Sequence, residues 1–371
     1  MTKNSLSTFL RSALLATGTL RRAKQIVNAS IATYSWFIRN AISWTGNYAS
    51  RLAAELQNYQ DVEVVHDLPP IFHYWSNKYL LPAIQPFGFT STNEFFVNQL
   101  VRQIDEHSGQ TAHFVSLGSG NCDTEVEIAH TLQKLGRNDF LIDCIDINSS
   151  MLARGRALAS DFGVSHQIHF IEDDFNTWTP RQPYLAVIAN QSLHHVMHLE
   201  HLLDSILKAI EPLNGVFVTS DMIGRNGHQR WPEALHIVEE FWSQLPPKYK
   251  YNRQLRRQED RFVNWDCSLE SFEGIRAQDI MPLLVERFHF DMFVPFANVI
   301  SPFIDRGFGP NFDFNSEADR SFIDRVHMRD VQALIRGEIK PTQMFAVLSN
   351  DYSRPTRCPD EMTPEHCTRR P

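Results

Sequence analysis

The sequence has few of the features that mark several common classes of protein. Its five cysteines are an odd number, widely spaced and without a Cys-x-x-Cys pair, so they indicate neither a disulfide framework nor a zinc site. No apolar run reaches the roughly 18 residues that a membrane-spanning helix needs. Arginines also interrupt the first twenty-odd residues, where a signal peptide would have its apolar core. A reducing, cytoplasmic location fits these absences.

Acidic residues are missing from the first part of the chain. Residues 1–54 contain no Asp or Glu but seven Lys and Arg, whereas the whole chain of 371 residues has a net charge of -8. The acidic body argues against a nucleic-acid-binding protein. The basic segment has apolar residues at roughly helical spacing. It fits a helical extension packed on the main domain, an amphipathic helix on a membrane surface or partner, or a transit peptide.

The pattern of apolar residues divides the chain into three regions. Residues 1–90 are predicted to form a helical extension followed by an aromatic connector, in which prolines argue against a long helix. The connector's aromatic side chains either pack on the core or contact a ligand. Residues 91–350 alternate apolar strands with helices, and the hydrophobic content of 43% is enough for a sizeable core. Residues 351–371 contain four prolines and few apolar residues, which predicts a disordered tail.

The alternation of strands and helices predicts an α/β fold with a mostly parallel, doubly wound sheet. Ligands of such sheets bind outside the carboxyl ends of the strands. The first five predicted strands each end in a polar or glycine-rich element. In chain order these elements are Gly118–Gly120, Asp146, Asp173–Asp174, Asn190 and Asp221. Any one of them could be an ordinary turn, but the ordered series predicts a ligand-binding edge.

The stretch from Phe114 to Glu125 combines an apolar strand, a Gly-Ser-Gly turn and the start of a helix. This arrangement lets the backbone approach a ligand closely and directs free N–H groups towards it. Two glycines after a strand can equally form a tight turn without a ligand. The residues at the ends of the other strands are therefore needed to distinguish the two interpretations.

Together these elements resemble class I S-adenosylmethionine-dependent methyltransferases, closely over residues 90–220 and loosely over 290–350. The resemblance implies a Rossmann-like sheet of seven strands with an antiparallel last strand beside the sixth, and S-adenosylmethionine as the cofactor. By this resemblance Gly118, Ser119 and Gly120 lie under the methionine part of the cofactor.

The resemblance also assigns the adenosine part of the cofactor. Asp146 would accept hydrogen bonds from the ribose hydroxyls, and Ile147 would flank the adenine. Asp174 would contact the adenine amino group, with Asp173 as the alternative and the apolar Phe175 following. The end of the fourth strand, Asn190, would face the methionine group and the substrate.

Two residues depart from the family's usual pattern. Ser116 stands where an acid is often found, two positions before the first glycine, and Cys122 stands where a third glycine is common. Both departures loosen the motif without removing the turn. They bear on the contacts to the cofactor's methionine and amino groups more than on the fold.

Histidines follow the fourth strand in the sequence Leu-His-His-Val. A sulfonium carries an excellent leaving group, so the protein mainly has to align the reactants, although an oxygen or nitrogen nucleophile can require a base. His195, and less so His194, are candidates for this base, because histidine titrates near neutrality. Either could instead cap a helix or pack in the cleft. His228, beside two glycines, is either a further residue of the substrate cleft or a turn residue.

Residues 224–285 extend the domain and are predicted to form a lid over the strand ends. Four arginines lie close together between 253 and 261. Arg257 and its neighbours could bind a carboxylate or phosphate of the substrate. Alternatively they form a solvated face paired with Glu259 and Asp260.

The sequence therefore predicts methyl transfer to an O, N or C nucleophile of a small molecule or glycoconjugate, without a metal. The acidic body disfavours a nucleic-acid substrate, and no Asn-Pro-Pro-Tyr sequence follows the fourth strand. One alternative is an NAD(P)-dependent oxidoreductase, whose fingerprint needs a third glycine that this chain lacks near position 123. Another is a non-catalytic scaffold that uses the basic N-terminus for a membrane or partner.

Overall fold

The computed structural model describes residues 48–56, 68–269 and 271–369. The chain divides into two compact units, residues 1–54 and 55–371. Of the first unit only 48–54 are described, and they are helical. The interpretations of the basic segment at 1–47 therefore lie outside the described residues. Among the described helices, none is both long enough and apolar enough to cross a membrane.

The second unit consists of a central sheet, covering helices and one small hairpin. The helices are α1 (Pro70–Trp75), α2 (Leu81–Ile84), α3 (Thr92–Glu106), α4 (Asp123–Lys134), α5 (Ser149–Asp161), α6 (Leu199–Ile210), α7 (Pro232–Gln244), α8 (Ala277–Arg287), α9 (Ser301–Ile304), α10 (Glu317–Ile335) and α11 (Pro364–Cys367). The strands are β1 (Ala112–Leu117), β2 (Phe140–Asp146), β3 (Ile168–Glu172), β4 (Ala186–Asn190), β5 (Val216–Met222), β6 (Tyr251–Asn252), β7 (Arg257–Gln258), β8 (His289–Phe296) and β9 (Gln343–Ser349).

The central sheet has seven strands in the order β3-β2-β1-β4-β5-β9-β8. Strands β1 to β5 pair in parallel, and β9 pairs antiparallel with both β5 and β8. The prediction of a doubly wound sheet with an antiparallel last strand beside the sixth is confirmed. The strand order reverses between β1 and β4, and a crevice for ligands forms at such a switch point.

The sheet is buried on both faces. Phe114 and Ile142 pack with apolar residues of α3, α4 and α5, whereas Val115 and Val187 pack with those of α6, α7 and α8. Continuous apolar strands such as β4 are expected when helices cover both faces of a parallel sheet. Only the strand ends then remain for polar functional groups.

The aromatic connector is more helical than predicted. Helices α1 and α2 are joined by a π-helical turn at Ser76–Leu80, and a 3-10 turn at Gln85–Phe87 completes the run. Pro70 is tolerated because it stands in the first turn, where its missing N–H would have no partner. The π turn lies just ahead of Pro82, whose ring would clash with a regular helix. The prolines thus change the type of helix without ending it.

Residues 351–369 differ from the predicted disordered tail. Met362 and Cys367 are buried, and Arg357 forms a β-bridge with Met292 of β8. Arg354 lies 3.0 Å from the Asp291 carboxylate. Two of the few apolar residues of this segment are thus buried. Its composition alone therefore predicted disorder where the structure has an ordered segment.

The segment at 224–285 contributes to the core. Ala234, Val238 and Trp242 of α7 are buried, and α8 packs against α6. The small β6–β7 hairpin carries the arginine-rich sequence. Ahead of α7, a 3-10 turn at Asn226–His228 contacts residues near Gly274. This contact brings part of the predicted lid to the end of β4.

Candidate active site

The glycine turn folds over the end of the neighbouring strand β2. The backbone N–H groups of Gly118 and Ser119 both donate to the Ile145 carbonyl, at 2.9 and 3.1 Å. Gly118 has a φ of +71°, and a Cβ there would lie 2.7 Å from Cβ of Ser192. The first glycine is therefore required by the chain's own packing, whether or not a ligand binds.

Asp146 ends β2 and connects it to the glycine turn. One carboxylate oxygen accepts the N–H of Gly120 at 2.8 Å, and the other accepts the N–H of Asn148 at 2.8 Å. Burial raises the pKa of Asp146, and these two hydrogen bonds oppose the rise. A carboxylate has about four acceptor positions, so each oxygen keeps one more for a ligand's hydroxyl groups.

The third glycine position of the motif is occupied by Cys122 in a left-handed conformation. Its φ is +57°, which a residue with a side chain rarely adopts. The side chain is fully buried, and Sγ lies 3.4 Å from the Ser119 hydroxyl. The backbone thus keeps the shape that a glycine would provide, although the sequence departs from the pattern.

The segment after β3 closes over the glycine turn. The Asp173 N–H donates to the Asp146 carbonyl at 3.1 Å, and Asp174 accepts the N–H of Asn176 at 2.9 Å. Phe175 is buried, with a ring carbon 3.4 Å from where a Gly118 Cβ would stand. The backbone segments that carry the acids at the ends of β2 and β3 thus lie side by side, and Ile147 lies half-buried beside Asp146.

Asn190 at the end of β4 joins the fourth strand to the first turn of α4. Its side-chain N–H donates to the Thr124 hydroxyl at 3.2 Å. Thr124 follows the glycine turn by four residues. Asn190 therefore lies beside the helix N-terminus that the turn positions, on the side where the acceptor was predicted.

Two carboxylates hold His194 between them. Nδ1 of His194 lies 2.7 Å from Oδ1 of Asp221, and Nε2 lies 3.4 Å from Oε1 of Glu273. Asp221 is itself fixed by the N–H groups of Ser192 and Leu193, at 2.9 and 2.7 Å. His194 and Asp221 are almost completely shielded from solvent. These contacts and its burial fix the orientation of the His194 ring.

The other two predicted histidines also converge on Glu273. Nε2 of His228 is 2.6 Å from one Glu273 oxygen, and Nε2 of His195 is 3.4 Å from the other. The Ile275 N–H donates to the His194 carbonyl at 3.1 Å, which places Glu273 over the turn at Leu193–His195. His194, His195, His228 and Glu273 are called the histidine–glutamate cluster below.

The carboxylates determine the charge state of the histidine–glutamate cluster. Burial favours neutral His194, but the charge and hydrogen bond of Asp221 outweigh it and raise the pKa of His194 to about 10. Burial disfavours the charged form of Glu273, yet His195 and the hydrogen bonds from His194 and His228 hold its pKa well below the usual range. Burial lowers the pKa of His228. His194 is thus cationic at neutral pH and His228 neutral.

A further carboxylate reaches His195 from the start of the second unit. Oε1 of Glu55 is 2.7 Å from Nδ1 of His195, a distance that fits an ion pair, without the directional geometry of a hydrogen bond. The His195 side chain is 14% exposed, compared with 4% for His194. Of the two adjacent histidines, His195 is therefore the more exposed.

Arg257 was predicted to bind a carboxylate or phosphate of the substrate, but in the structure it pairs with Glu259. Its Nε lies 2.8 Å from the buried Glu259 carboxylate, and its side chain is 42% exposed. Pairing with Glu259 was the alternative interpretation of the arginine cluster. The described contacts of Arg257 lie within the β6–β7 hairpin and not at the strand ends.

Glu273 and Glu125 are important site residues that sequence reasoning missed. Glu273 lies 79 residues after His194 in the predicted lid, and no short-range spacing connects the two. The sequence contains one weak signal, a glycine next to each of two cluster residues, Gly227 before His228 and Gly274 after Glu273. In the structure the Gly227 N–H donates to the Gly274 carbonyl at 2.9 Å. Glu125 was noted only as the end of the glycine-turn stretch.

Two groups of side chains in the described residues have the spacing of metal ligands. They are Cys122, Glu125 and Cys144, and separately His194, His195 and Glu273. In each group the potential ligand atoms lie within 4.8 Å of one another. In the second group the carboxylates of Asp221 and Glu273 already supply partners for the imidazoles, so hydrogen bonding accounts for its arrangement.

Known proteins resemble this chain in structure but not in sequence. No family model matches the chain, and no curated protein matches it. A geranyl diphosphate methyltransferase solved with GPP and sinefungin is 12% identical over 70% of this chain and 77% of its own, with a TM-score of 0.40.

Two other solved structures are similar to the same degree. An O-methyltransferase of a trans-AT PKS multienzyme from Brevibacillus brevis, with S-adenosyl-L-homocysteine, is 12% identical over 78% of this chain and 85% of its own (TM-score 0.40). The geranyl diphosphate C-methyltransferase from Streptomyces coelicolor A3(2) is 12% identical over 69% and 78% (TM-score 0.38). Because these values are low, function has to be inferred from the geometry of this chain. Its strand order and antiparallel β9 give the chain the fold of class I S-adenosylmethionine-dependent methyltransferases.

Proposed function

We propose that the protein transfers the methyl group of S-adenosylmethionine to an O, N or C nucleophile of a small molecule or glycoconjugate. The observation that carries this proposal is the position of Asp146. Its carboxylate stands at the end of β2, next to the switch point of the sheet, and is held there by N–H groups of Gly120 and Asn148. A fixed carboxylate at this point suits the two hydroxyl groups of a ribose.

The remaining cofactor contacts follow from the same edge of the sheet. In this proposal the turn at Gly118–Gly120 lies under the methionine part, and Ile147 and Phe175 enclose the adenine. Asp174 or Asp173 accepts a hydrogen bond from the adenine amino group. Asn190 faces the reacting methyl. The close approach of the segments after β1, β2 and β3, described above, supports this assignment.

The cofactor supplies an activated methyl group with a good leaving group, so the protein's main task is alignment. For an O–H or N–H acceptor a base is also needed. His194 suits this role less well, because its side chain is only 4% exposed. We assign the role to His195, whose side chain is 14% exposed and whose protonated form would be stabilised by the carboxylates of Glu55 and Glu273, while His228 contacts Glu273 from the other side.

The NAD(P)-dependent alternative is less compatible with the chain. The dinucleotide-binding fold has a sheet of parallel strands and a third glycine in its turn. Here β9 runs antiparallel between β5 and β8, and Cys122 stands at the third position of the turn. The second difference alone would be weak, since Cys122 retains a glycine-like backbone.

Titration calorimetry with three ligands tests the proposal. S-adenosylmethionine and S-adenosylhomocysteine should bind with dissociation constants of micromolar order, and NAD should bind at least about tenfold more weakly. S-adenosylhomocysteine, the product, shares the ribose and adenine contacts, so its affinity should be comparable to that of S-adenosylmethionine. Binding of NAD in preference to both adenosyl ligands, or binding of none of the three to folded protein, would overturn the proposal.

A further inference from the structure

Three large apolar side chains are exposed close together in the segment that leads from the β6–β7 hairpin to α8. They are Val263, Trp265 and Leu269, which are 45%, 49% and 70% exposed. Leu269 is the most exposed of the large hydrophobic side chains in the described part of the chain. Single apolar residues are common on protein surfaces, but a group of them indicates a site of interaction.

Exposure alternates along residues 261–265. Arg261, Val263 and Trp265 are exposed, whereas Phe262 and Asn264 between them are partly buried. Alternate residues of an extended chain lie on opposite faces. A cation and two apolar side chains therefore share the outer face of this segment.

The two inward-facing side chains anchor this segment to the body of the protein. The Phe262 ring packs edge to face with Trp242, with 5.4 Å between the ring centroids. Oδ1 of Asn264 accepts the Arg230 N–H at 2.7 Å, and the Asn264 side-chain N–H donates to the Arg230 carbonyl at 2.9 Å. The exposure of the outer face thus results from an ordered backbone.

Cations outnumber acids in the neighbouring hairpin. Residues 248–261 contain six Lys and Arg but only two acids, in a chain whose net charge is -8. Glu259, one of the two, is buried and pairs with Arg257. Its other oxygen accepts the Val263 N–H at 3.1 Å, so the cations directly adjoin the apolar group.

The exposed cationic and apolar side chains of this region form one surface. The residues that we call the basic–apolar surface are Arg256, Arg261, Val263, Trp265 and Leu269. Tryptophan is enriched at the level of lipid headgroups, and anionic lipids attract arginine near the membrane surface. Apolar side chains such as Val263 and Leu269 enter the boundary between headgroups and acyl chains in peripheral membrane proteins. The combination therefore fits a membrane that carries negative charge.

Charge and composition argue against two other occupants of this surface. Residues 1–54 of the chain contain seven Lys and Arg and no acid, so a cationic hairpin repels them. A single-stranded nucleic acid would pair with the arginines but also needs several aromatic side chains on which its bases stack. The basic–apolar surface contains one aromatic side chain, Trp265.

We propose that the basic–apolar surface binds a membrane that contains anionic lipids, with the arginines at the headgroups and Trp265 at the interface. The proposal does not rest on methyl transfer, since it uses no residue assigned to the cofactor or to the base. It places the contact on the predicted lid and not on the basic N-terminus. Leu269 precedes Glu273 by four residues, so the segment that reaches the membrane continues into the one that carries the carboxylate of the histidine–glutamate cluster.

Co-sedimentation of the full chain with vesicles tests the charged part of the proposal. One kind of vesicle contains equal amounts of phosphatidylcholine and phosphatidylglycerol, and the other contains phosphatidylcholine alone. We expect the anionic vesicles to bind at least about tenfold more strongly. Arg256→Glu combined with Arg261→Glu should weaken binding to them at least about tenfold.

A matched pair of charge reversals provides the control. Arg325→Glu combined with Arg336→Glu changes the net charge equally, at exposed positions on α10 and just after it, and should weaken binding less than about twofold. Equal effects of the two pairs would make net charge responsible and overturn the proposal. Undiminished binding of the Arg256→Glu, Arg261→Glu variant would place the contact elsewhere, such as at residues 1–54, and overturn it as well.

Fluorescence quenching by vesicles with brominated acyl chains tests the apolar part. Among the described tryptophans, Trp265 is the exposed one. Anionic brominated vesicles should quench the emission of the protein, and Trp265→Phe should lose most of this quenching. The same quenching in Trp265→Phe and in the wild type would show that Trp265 stays outside the bilayer, which contradicts the proposal.

Leu269→Ser should weaken binding to the anionic vesicles at least about threefold, because it removes apolar surface from the contact. Met328→Ser, at a 51% exposed position on α10, is the control and should bind like the wild type. Unchanged binding of Leu269→Ser would contradict the proposal. Thermal unfolding identifies a variant that has not folded, and Val263→Ser then replaces Leu269→Ser.

Two further measurements compare the membrane with other partners. Tighter binding of single-stranded poly(dT) than of the anionic vesicles would make the surface a nucleic-acid site. A dimer in sedimentation velocity that Trp265→Ser dissociates would make it an interface between two copies of the chain. Either result would overturn the proposal, whereas a monomer without affinity for poly(dT) supports it.

Discussion

The hydroxyl of Ser116 donates a hydrogen bond to Oε1 of Glu125, with 2.6 Å between the two oxygens in the interior of the protein. Ser116 stands at the position where the resembling family often has an acid. Glu125, in the first turn of α4, brings an acid to the same place from the next element. The buried carboxyl group beside Ser116 is therefore supplied by a residue nine positions later.

The buried Glu125 should make stability depend on pH. Burial raises its pKa from 4.5 to about 7, against the opposing effect of Ser116. Because the folded-state pKa is the higher one, the stabilising contribution is complete below pH 4.5 and is lost as the pH rises through 7. The loss is on the order of 3 kcal/mol at most.

Urea unfolding of Glu125→Gln at pH 5 and pH 8 measures this effect. The free energy of unfolding of the wild type, relative to the variant, should be lower at pH 8 than at pH 5. Glu127→Gln is the control, since Glu127 is exposed on the same helix and should show no such difference. The same wild-type-minus-variant value at both pH values would show that Glu125 keeps an ordinary pKa.

Gly118 should not tolerate a side chain, because of Ser192. Gly118→Ala combines a left-handed backbone with a 2.7 Å approach to Cβ of Ser192 and should destabilise the protein by about 2–4 kcal/mol. Gly136→Ala is a matched control, since its φ of +74° is similar and its Cβ would meet nothing within 4 Å. It should cost only about 1 kcal/mol.

A double variant separates backbone strain from the clash. In Gly118→Ala combined with Ser192→Gly, the Ala side chain gains space, and part of the lost stability should return when allowance is made for Ser192→Gly alone. Chemical denaturation of the four proteins provides the comparison. Strictly additive effects would mean that Ser192 does not restrict this turn.

The charge of His194 should persist well above neutral pH. Asp221 raises the pKa of His194 to about 10, despite the opposing effect of burial, so its stabilising contribution is complete below pH 6.5 and is lost as the pH rises through about 10. Nitrogen NMR of the imidazole should show a cation at pH 8. His236, whose side chain is 75% exposed, is an internal reference in the same spectrum. A neutral His194 ring at pH 8 would contradict this account of the cluster.

Removing the assigned base should affect the chemical step and not cofactor binding. With an acceptor that reacts through an O–H or N–H group, His195→Gln should lower kcat by about 10²–10⁴, the usual contribution of a general base. Glu273→Gln should act in the same direction by misplacing His195. The dissociation constant of S-adenosylmethionine should stay within about twofold in both variants.

His236→Gln provides the control for these kinetics. It removes a surface histidine near Glu240 and should leave kcat unchanged. An undiminished kcat in His195→Gln would remove His195 from the mechanism. A loss of cofactor affinity equal to the loss of kcat would instead make it a binding residue.

The predictable part of the fold is the part governed by local periodicity. The apolar strands, the glycine turn and the acid of Asp146 follow one another in the chain, so their order along one sheet edge could be inferred from the sequence. The helical structure of the aromatic connector was less predictable. A π turn accommodates Pro82 there, and the local sequence pattern does not predict such a turn. The C-terminal segment was misjudged, since burial of Cys367 depends on contacts with distant parts of the chain.

The site was predictable to the same extent. Asp146 could be named because it ends a strand, and His194 because it lies four residues after one. Glu273 could not, because its place beside His194 results from the folding of a long segment whose own pattern is irregular. Glu125 was overlooked because its importance depends on the side chain of Ser116, which faces it from a different element.

Cofactor binding by the Asp146→Ala variant tests the central claim most directly. Calorimetry should show that the variant loses about 2–4 kcal/mol of binding free energy for S-adenosylmethionine, or roughly 30-fold to several hundredfold in affinity. Asp105→Ala, which removes a surface partner of Arg137, should bind like the wild type. A folded Asp146→Ala protein that binds the cofactor as tightly as the wild type would contradict the claim that this carboxylate holds the ribose.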